Sequence, residues 1–386
     1  MDGHEPKLRR AGRRARHAAG GSRVTTDVAR ARGLVLAHGW NATAYQILNP
    51  GIAHWFSAAG DAVVGYVEHA GTRVVAGAPV CPAHRLLDVV EEFGRDARRR
   101  ARRVCYFGAG QRMEQSLASP DQWSAASLGA QPSWDPANWA GLVRRRKSLR
   151  AQLHRALNKG VEVRERTVLS DADGIALRTC LGQWLDGRGL PALHFLVESE
   201  TLGQLVDRRL FVAIRTGSIV GFLVASPVPA RQGWLIEQII RSHTAPNGTS
   251  ELLVDTAMRA LGAGGARYVT LGLSPLSRHS AFDRRRMPRW LRLVLRLVRA
   301  HARRFYDFEG LDRFKSKFEP DEWEDIVALA DSPRFPPRAL WAIASAFSQG
   351  SPVALVGRAL FRAARQEVRW LGRGGRRALQ RSRRRA

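Results

Sequence analysis

The sequence predicts an α/β protein built from two similar halves, and three observations carry that reading. A hairpin, a helix and a buried strand follow one another early in the chain. The same order returns later, and a strongly basic helix separates the two. The chain has 386 residues, 45% of them hydrophobic, enough for two or three domains at about 100–200 residues each.

Residues 1–30 read as a disordered basic tail, because no apolar period appears in them. A first domain follows over 31–137. Ala62 to Glu68 and Thr72 to Val80 alternate as strands around a turn at Ala70-Gly71. Pro82 opens a helix whose apolar face is Leu86, Leu87, Val89, Val90 and Phe93, and Arg103 to Gly108 reads as a buried strand. In the second domain, 162–332, Phe211 to Arg215 and Ile219 to Ala225 flank a turn at Thr216-Gly217. Trp234 to Ile240 is a third strand, Thr249 to Leu261 a helix, and Arg267 to Gly272 the strand after it.

Between the halves, 138–161 reads as one long helix. Leu142, Leu149, Leu153 and Leu157 form a narrow stripe, and Asn158-Lys159-Gly160 supplies its end. Arg289 to Arg304 reads as a basic amphipathic helix of the kind that lies in a membrane interface. Residues 333–386 repeat the theme as an amphipathic Arg-rich extension, beginning with Leu340, Trp341, Ile343 and Phe347.

The formal net charge is +28, and it is concentrated. Residues 1–24, Arg144 to Lys159, Arg284 to Arg304 and 358–386 together carry more than the whole excess, and the remainder is close to neutral. Such strips seek phosphates or an anionic membrane. No apolar run reaches the about 18 residues of a membrane span, and no apolar segment follows the basic start to make a secretory signal. Cys81, Cys105 and Cys180 have no metal spacing, so a reducing cytoplasm and no zinc site are expected. No metal and no cofactor are expected, and no phosphate-binding loop, nucleophile elbow or zinc-protease motif occurs.

Four phrases carry the chemistry. Arg145 to Arg150 continues through Ala156-Leu157-Asn158-Lys159-Gly160. Ile236 to Arg241 leads into Ala245-Pro246-Asn247-Gly248, followed by Gly272-Leu273-Ser274-Pro275-Leu276-Ser277 and by Phe305 to Phe318. The β-β-β-α-β order of the second half resembles the fold of Gcn5-related N-acetyltransferases (GNAT). Over about 35–332 the four phrases, in order, resemble the C-terminal catalytic domain of phosphatidylglycerol lysyltransferases of the multiple-peptide-resistance type and their soluble relatives. That resemblance implies tandem acetyltransferase-like folds joined by a long basic helix. It implies an aminoacyltransferase that moves an amino acid from aminoacyl-tRNA to a membrane lipid or related acceptor, at the inner face of the cell membrane.

The resemblance assigns Glu237, Arg241 and Asn247 to catalysis. It assigns Gly248, Ser274, Lys315 and Lys317 to substrate binding, and Arg144, Arg145, Arg146, Lys147, Arg150, Arg155 and Lys159 to the tRNA. Ester-to-ester transfer is nearly isoenergetic, so positioning and charge placement dominate. The donor's α-ammonium wants a carboxylate, for which Glu237 is the candidate, as holder or as base. Arg241 would pair with Glu237 or meet a phosphate, and Asn247 with the amides after Gly248 would stabilise an oxyanion. Lys315 and Lys317 would meet a lipid or tRNA phosphate.

Two positions depart from the family's pattern. An Asp is Glu237 here, and an Arg expected three residues on falls at Ile240, with Arg241 one position later. The amino acid therefore stays open, as do the acceptor and the oligomeric state. The many-helix flippase domain of full-length enzymes is not in this sequence, so export by this chain is not expected. Two other readings stay open: an acyl-CoA-dependent N-acyltransferase of the same fold, and a non-catalytic binder of nucleic acid or membrane. Against the first, the Gln/Arg-x-x-Gly-x-Gly/Ala pyrophosphate loop is replaced by Arg241 to Gly248.

Overall fold

A computed structural model describes residues 26–117, 121–186, 195–196, 201–301 and 307–348. The fold is mixed α/β, organised on one continuous sheet. Strands β1 (Ala53–Phe56), β2 (Val63–His69) and β3 (Thr72–Ala76) run antiparallel. Helix α2 (Leu86–Arg99) then crosses to β4 (Arg103–Gly110), which lies parallel to β3. In the second half β6 (Val161–Arg166), β7 (Arg209–Arg215), β8 (Ser218–Val228) and β9 (Gly233–Arg241) are antiparallel neighbours. Helix α7 (Thr249–Ala263) crosses to β10 (Tyr268–Thr270), parallel to β9.

Both hairpin turns close as the sequence implies. Ala70 and Gly71 have φ of 48° and 69°, and Thr216 and Gly217 have φ of 48° and 76°. Two consecutive positive φ values suit the right-handed twist of the flanking strands.

The halves are joined edge to edge. β5 (Ser124–Trp134) pairs antiparallel with β10, and β12 (Glu322–Ala330) returns from the second half to lie between β4 and β5. Helix α10 (Pro337–Ser348) then packs on the first half, with Ala339, Ala342, Ile343 and Ala346 buried in its core. This corrects the membrane reading for this part of the C-terminal extension, because its small apolar face is covered by β2 and β3. Trp341 alone among its large apolar residues is exposed. The rest of the extension, 349–386, lies outside the described residues, as do residues 1–25 of the tail. Positions 26–30 are helical, within α1 (26–38).

The basic helix between the halves is two helices, α4 (Trp139–Arg145) and α5 (Lys147–Asn158). Arg146 is extended between them, with φ −89° and ψ 91°. The break leaves carbonyls of α4 without helical partners, and the Arg150 guanidinium takes up those of Val143 and Arg144. Leu142, Leu149 and Leu153 are buried as the stripe implies, but Leu157 is exposed and Ala156 takes the buried position.

Candidate active site

The parallel pair β9–β10 sets the site. Its register ends at Thr270 opposite Leu235. Beyond that point β9 continues to Arg241 on β8, whereas the chain after β10 swings to β5 as β11 (Ser274–Pro275). The strands therefore part at their carboxyl ends, the position at which open α/β sheets form a binding crevice.

Glu237 sits where they part. Across β8 and β9, Val224 pairs with Gln238 and Ala225 with Ile236, leaving Glu237 as the extra residue of a bulge. Trp234 and Ile236 pack with α7 before it and Ile239 after it, while Ile240 joins the other face. The change of phase re-aims the side chain, a common device beside active sites.

The Glu237 carboxylate is nearly buried and doubly held. Oε1 accepts from Arg208 Nε at 2.5 Å, and Oε2 accepts from Gln46 Nε2 at 2.9 Å. Gln46 also donates to Ser226 Oγ. Arg208 donates to Gln204 O and to Asn49 Oδ1 and lies over the Tyr45 ring at 4.8 Å. Tyr45 in turn donates to Val206 O and Asp207, and Asp207 is gripped by Arg32 of α1. That hydrogen-bonded pair with Arg32 holds the Asp207 carboxyl below its ordinary range. Burial and the Asp207 charge push the Tyr45 phenol up to about 12, so it remains a donor. Residues of the first half thus complete the polar network around Glu237.

Arg241 departs from expectation. It is exposed at the end of β9 and has no ion pair among the described residues, because the Glu237 carboxylate is already taken by Arg208. Asn247 is exposed, whereas Gly248 is buried with φ 96°. A Cβ on Gly248 would overlap the Gln152 carbonyl of α5, so α5 closes directly over the start of α7.

On the β10 side Gly272 packs against Leu235, two residues before Glu237. Lys315 of α9 (Phe308–Ser316) reaches this loop, and its Nζ donates to Gly272 O and Leu273 O at 2.8 and 2.9 Å. Burial lowers this ammonium to about 7, with nearby Asp312 opposing the shift. Ser274, the next residue after Leu273, is buried on β11 against β5, its hydroxyl without a hydrogen bond. Lys317, half exposed, pairs with Glu251 in the first turn of α7 at 3.0 Å.

Outside this loop lies an open cleft of about 420 Å³. Arg146, Arg278, Arg299, Arg313 and Lys317 line it, from the α4–α5 break, the loop after β11, α8 (Arg289–His301) and α9. His279 and Asp312 share its wall. His279 stacks on Trp323 with 4.1 Å between ring centroids, and Ser277 Oγ donates to Asp312. Of the proposed tRNA contacts, Arg146 alone lines the cleft, where it also pairs with Glu319. Arg144, Arg145, Lys147, Arg155 and Lys159 are exposed along α4 and α5, and Arg150 is turned to the helix break.

Gln46, Arg208, Asn49 and Tyr45 were not singled out by sequence. The trace of them is a run of mixed character, Tyr45-Gln46-Ile47-Leu48-Asn49, folded as a buried 3-10 turn. Arg208 is one of 62 Lys/Arg, and nothing local distinguishes it.

The profile of the family described as phosphatidylglycerol lysyltransferase, C-terminal, matches residues 32–328. No curated protein matches the chain as a relative. The fold is similar to that of the C-terminal domain of a protein described as a lysylphosphatidylglycerol synthetase from Agrobacterium fabrum. The TM-score is 0.70 at 22% identity, covering 85% of this chain and 98% of that one. It is also similar to L-PGS from Bacillus licheniformis, with TM-score 0.68 at 20% identity over 82% and 94% of the two chains. A conserved protein of unknown function from Bacteroides thetaiotaomicron follows, at 0.57 and 12%, over 80% and 97%. With more than two thirds of its length matched by one profile, the chain belongs to the phosphatidylglycerol lysyltransferase C-terminal family, a family of transferases.

Proposed function

We propose that the chain transfers an aminoacyl group from aminoacyl-tRNA to a hydroxyl of a membrane lipid, on the cytoplasmic face of the cell membrane. The observation that carries the reading is the cleft. Five cationic side chains from four parts of the chain line one cleft, on the outer side of the loop whose Gly272 packs against Leu235 of the Glu237 strand. Donor and acceptor both bring phosphates, which Arg and Lys bind by charge-assisted hydrogen bonds. The donor also brings an α-ammonium, and each oxygen of Glu237 keeps a lone pair beyond its present bond.

Glu237, already facing a guanidinium, is suited to hold that ammonium rather than to take a proton. Lys315 is suited to the proton. With a pKa of about 7 it is substantially neutral near physiological pH. Its two N–H groups as an amine satisfy Gly272 O and Leu273 O, which leaves the nitrogen lone pair free. The acceptor oxygen attacks the ester carbonyl, its proton passes to Lys315 Nζ, and the ribose oxygen leaves and takes that proton back. Exposed Arg144, Arg145 and Arg155 would follow the acceptor stem.

A coenzyme A donor fits less well. In acetyl-CoA enzymes of this fold the pyrophosphate lies at the start of the helix that follows the bulged strand. Here that start abuts α5 at Gly248, and a pyrophosphate would have to displace Gln152. The test is transfer of labelled amino acid from charged tRNA into a lipid extract. Glu237→Gln is expected to lower the rate by about a hundredfold or more, and ribonuclease to abolish it. Transfer that survives ribonuclease, or no transfer from any charged tRNA, overturns the reading.

A further inference from the structure

Helix α8 is anchored on one face and exposed on another. Leu291 is 1% exposed in the first-half core, with Trp290 and Leu295 packed against the same cluster. Arg299, from the far end of the helix, lines the cationic cleft. On the outward side Leu293, Leu297 and Val298 are 58%, 50% and 40% exposed. Arg289 and Arg296 are exposed among them, and Arg284, Arg285 and Arg286 are exposed in the turn just before. No acid occurs between Arg284 and His301.

We infer that this face docks on an anionic lipid bilayer and holds the cleft mouth at headgroup level. The arginines alone would suit any polyanion. The three large apolar side chains beside them distinguish the partner, because a phosphate backbone offers nothing to cover them, whereas the acyl boundary of a bilayer does. Arginines flanking such a stripe can lay their stems along it and keep their guanidinium groups among headgroups. The anchoring by Leu291 fixes the orientation. With the outward side on the membrane, Arg299 stands at the boundary between lipid surface and cleft, where an anionic headgroup would leave one for the other.

The purpose of this face rests on the lipid-acceptor reading, but its test is independent of transfer. The full chain is titrated with vesicles of phosphatidylglycerol and phosphatidylcholine, and with phosphatidylcholine alone, in the absence of tRNA. Binding is expected to the anionic vesicles only and to weaken with salt. Arg289→Glu with Arg296→Glu should reduce it by about fivefold or more for each guanidinium removed. Leu293→Asp with Leu297→Asp should reduce it at least as much, while the same charge reversals at Arg95 and Arg99, on the exposed side of α2, should not. Leu293→Trp should strengthen binding, so the inference stays testable if the aspartate variant folds poorly. Anionic binding that is unchanged in both leucine variants, or lost equally on reversal at Arg95 and Arg99, overturns it. Vesicle binding that behaves as stated while tRNA-dependent transfer is absent would leave the docking face standing and remove the proposed reaction.

Discussion

The first and second halves each contain a parallel crossover, and only one of the two ends at a nearly buried, paired carboxylate. In the first half β4 outruns β3, and the space beyond is filled by chain. Gly77 N donates to Phe107 O, Asn41 Nδ2 donates to Gly108 O and Thr43 Oγ1, and a Cβ on Gly77 would overlap Asn41 and Thr43. Phe347 of α10 packs edge-on against Phe107, and Phe195 packs edge-on against Phe347. In the second half β9 outruns β10, carries a bulge at the point of parting, and meets Glu237, Arg208 and Gln46 there. The same crossover thus serves as scaffold on one side and holds a buried carboxylate on the other.

The largest effect on this contrast is expected from Arg208→Leu. Arg208 and Glu237 are 2% and 9% exposed, so the change leaves a nearly buried carboxylate without its counter-charge. A loss of about 3 kcal/mol or more is expected in denaturant unfolding, together with loss of transfer. A stability cost near zero would mean that Glu237 is solvated and that the network around it is not closed as described.

Two buried cations, one from each half, differ as well. Arg73 in the first half lies between the Tyr66 and Phe93 rings and is paired with Asp96 at 2.7 Å. Lys315 in the second bonds only to two carbonyls, and its pKa falls to about 7. Between that value and the ordinary lysine range the unfolded chain binds a proton that the folded chain does not. Raising the pH from 7 to 8.5 therefore favours the folded state through this group, and below 7 its burial penalty is fully present. Lys315→Met should flatten that rise relative to the parent chain, as read from unfolding midpoints at pH 6.5, 7.5 and 8.5. Parallel profiles for the two proteins would show that Lys315 stays protonated, which would also remove it as proton acceptor.

Much of the scaffold was legible because its signals are local. Alternating residues and turn dipeptides mark β2, β3, β7 and β8 to within a few residues, and the Thr249 helix and the strand after it lie where the pattern puts them. The helix break was less legible, since it depends on Arg146 reaching Glu319 and on Arg150 reaching back to α4. Glu237 could be singled out as an acid at a strand end, but its partners could not. Gln46 is 191 residues away in sequence and Arg208 is 29, and the nearby Arg241 offered a simpler pair that the bulge does not make. The amphipathic pattern likewise does not separate α8 from α10. Both carry an apolar face, and only packing shows that one exposes leucines while the other buries its alanines.

The smallest effect sharpens the comparison from the scaffold side. Asn41→Ala removes two hydrogen bonds in the filled crevice and leaves the Gly108 carbonyl short of a donor. The cost should be about 1–2 kcal/mol, seen as a lower unfolding midpoint with an unchanged denaturant slope. Asn41 touches neither Glu237 nor Lys315, so the folded protein should transfer at the parent rate. Glu237→Gln should show the opposite balance, because glutamine keeps the shape and one acceptor while removing the charge that the donor's ammonium needs. If Asn41→Ala lowered transfer as steeply as Glu237→Gln, the first crevice would belong to the reaction too, and the division of labour between the halves would fail.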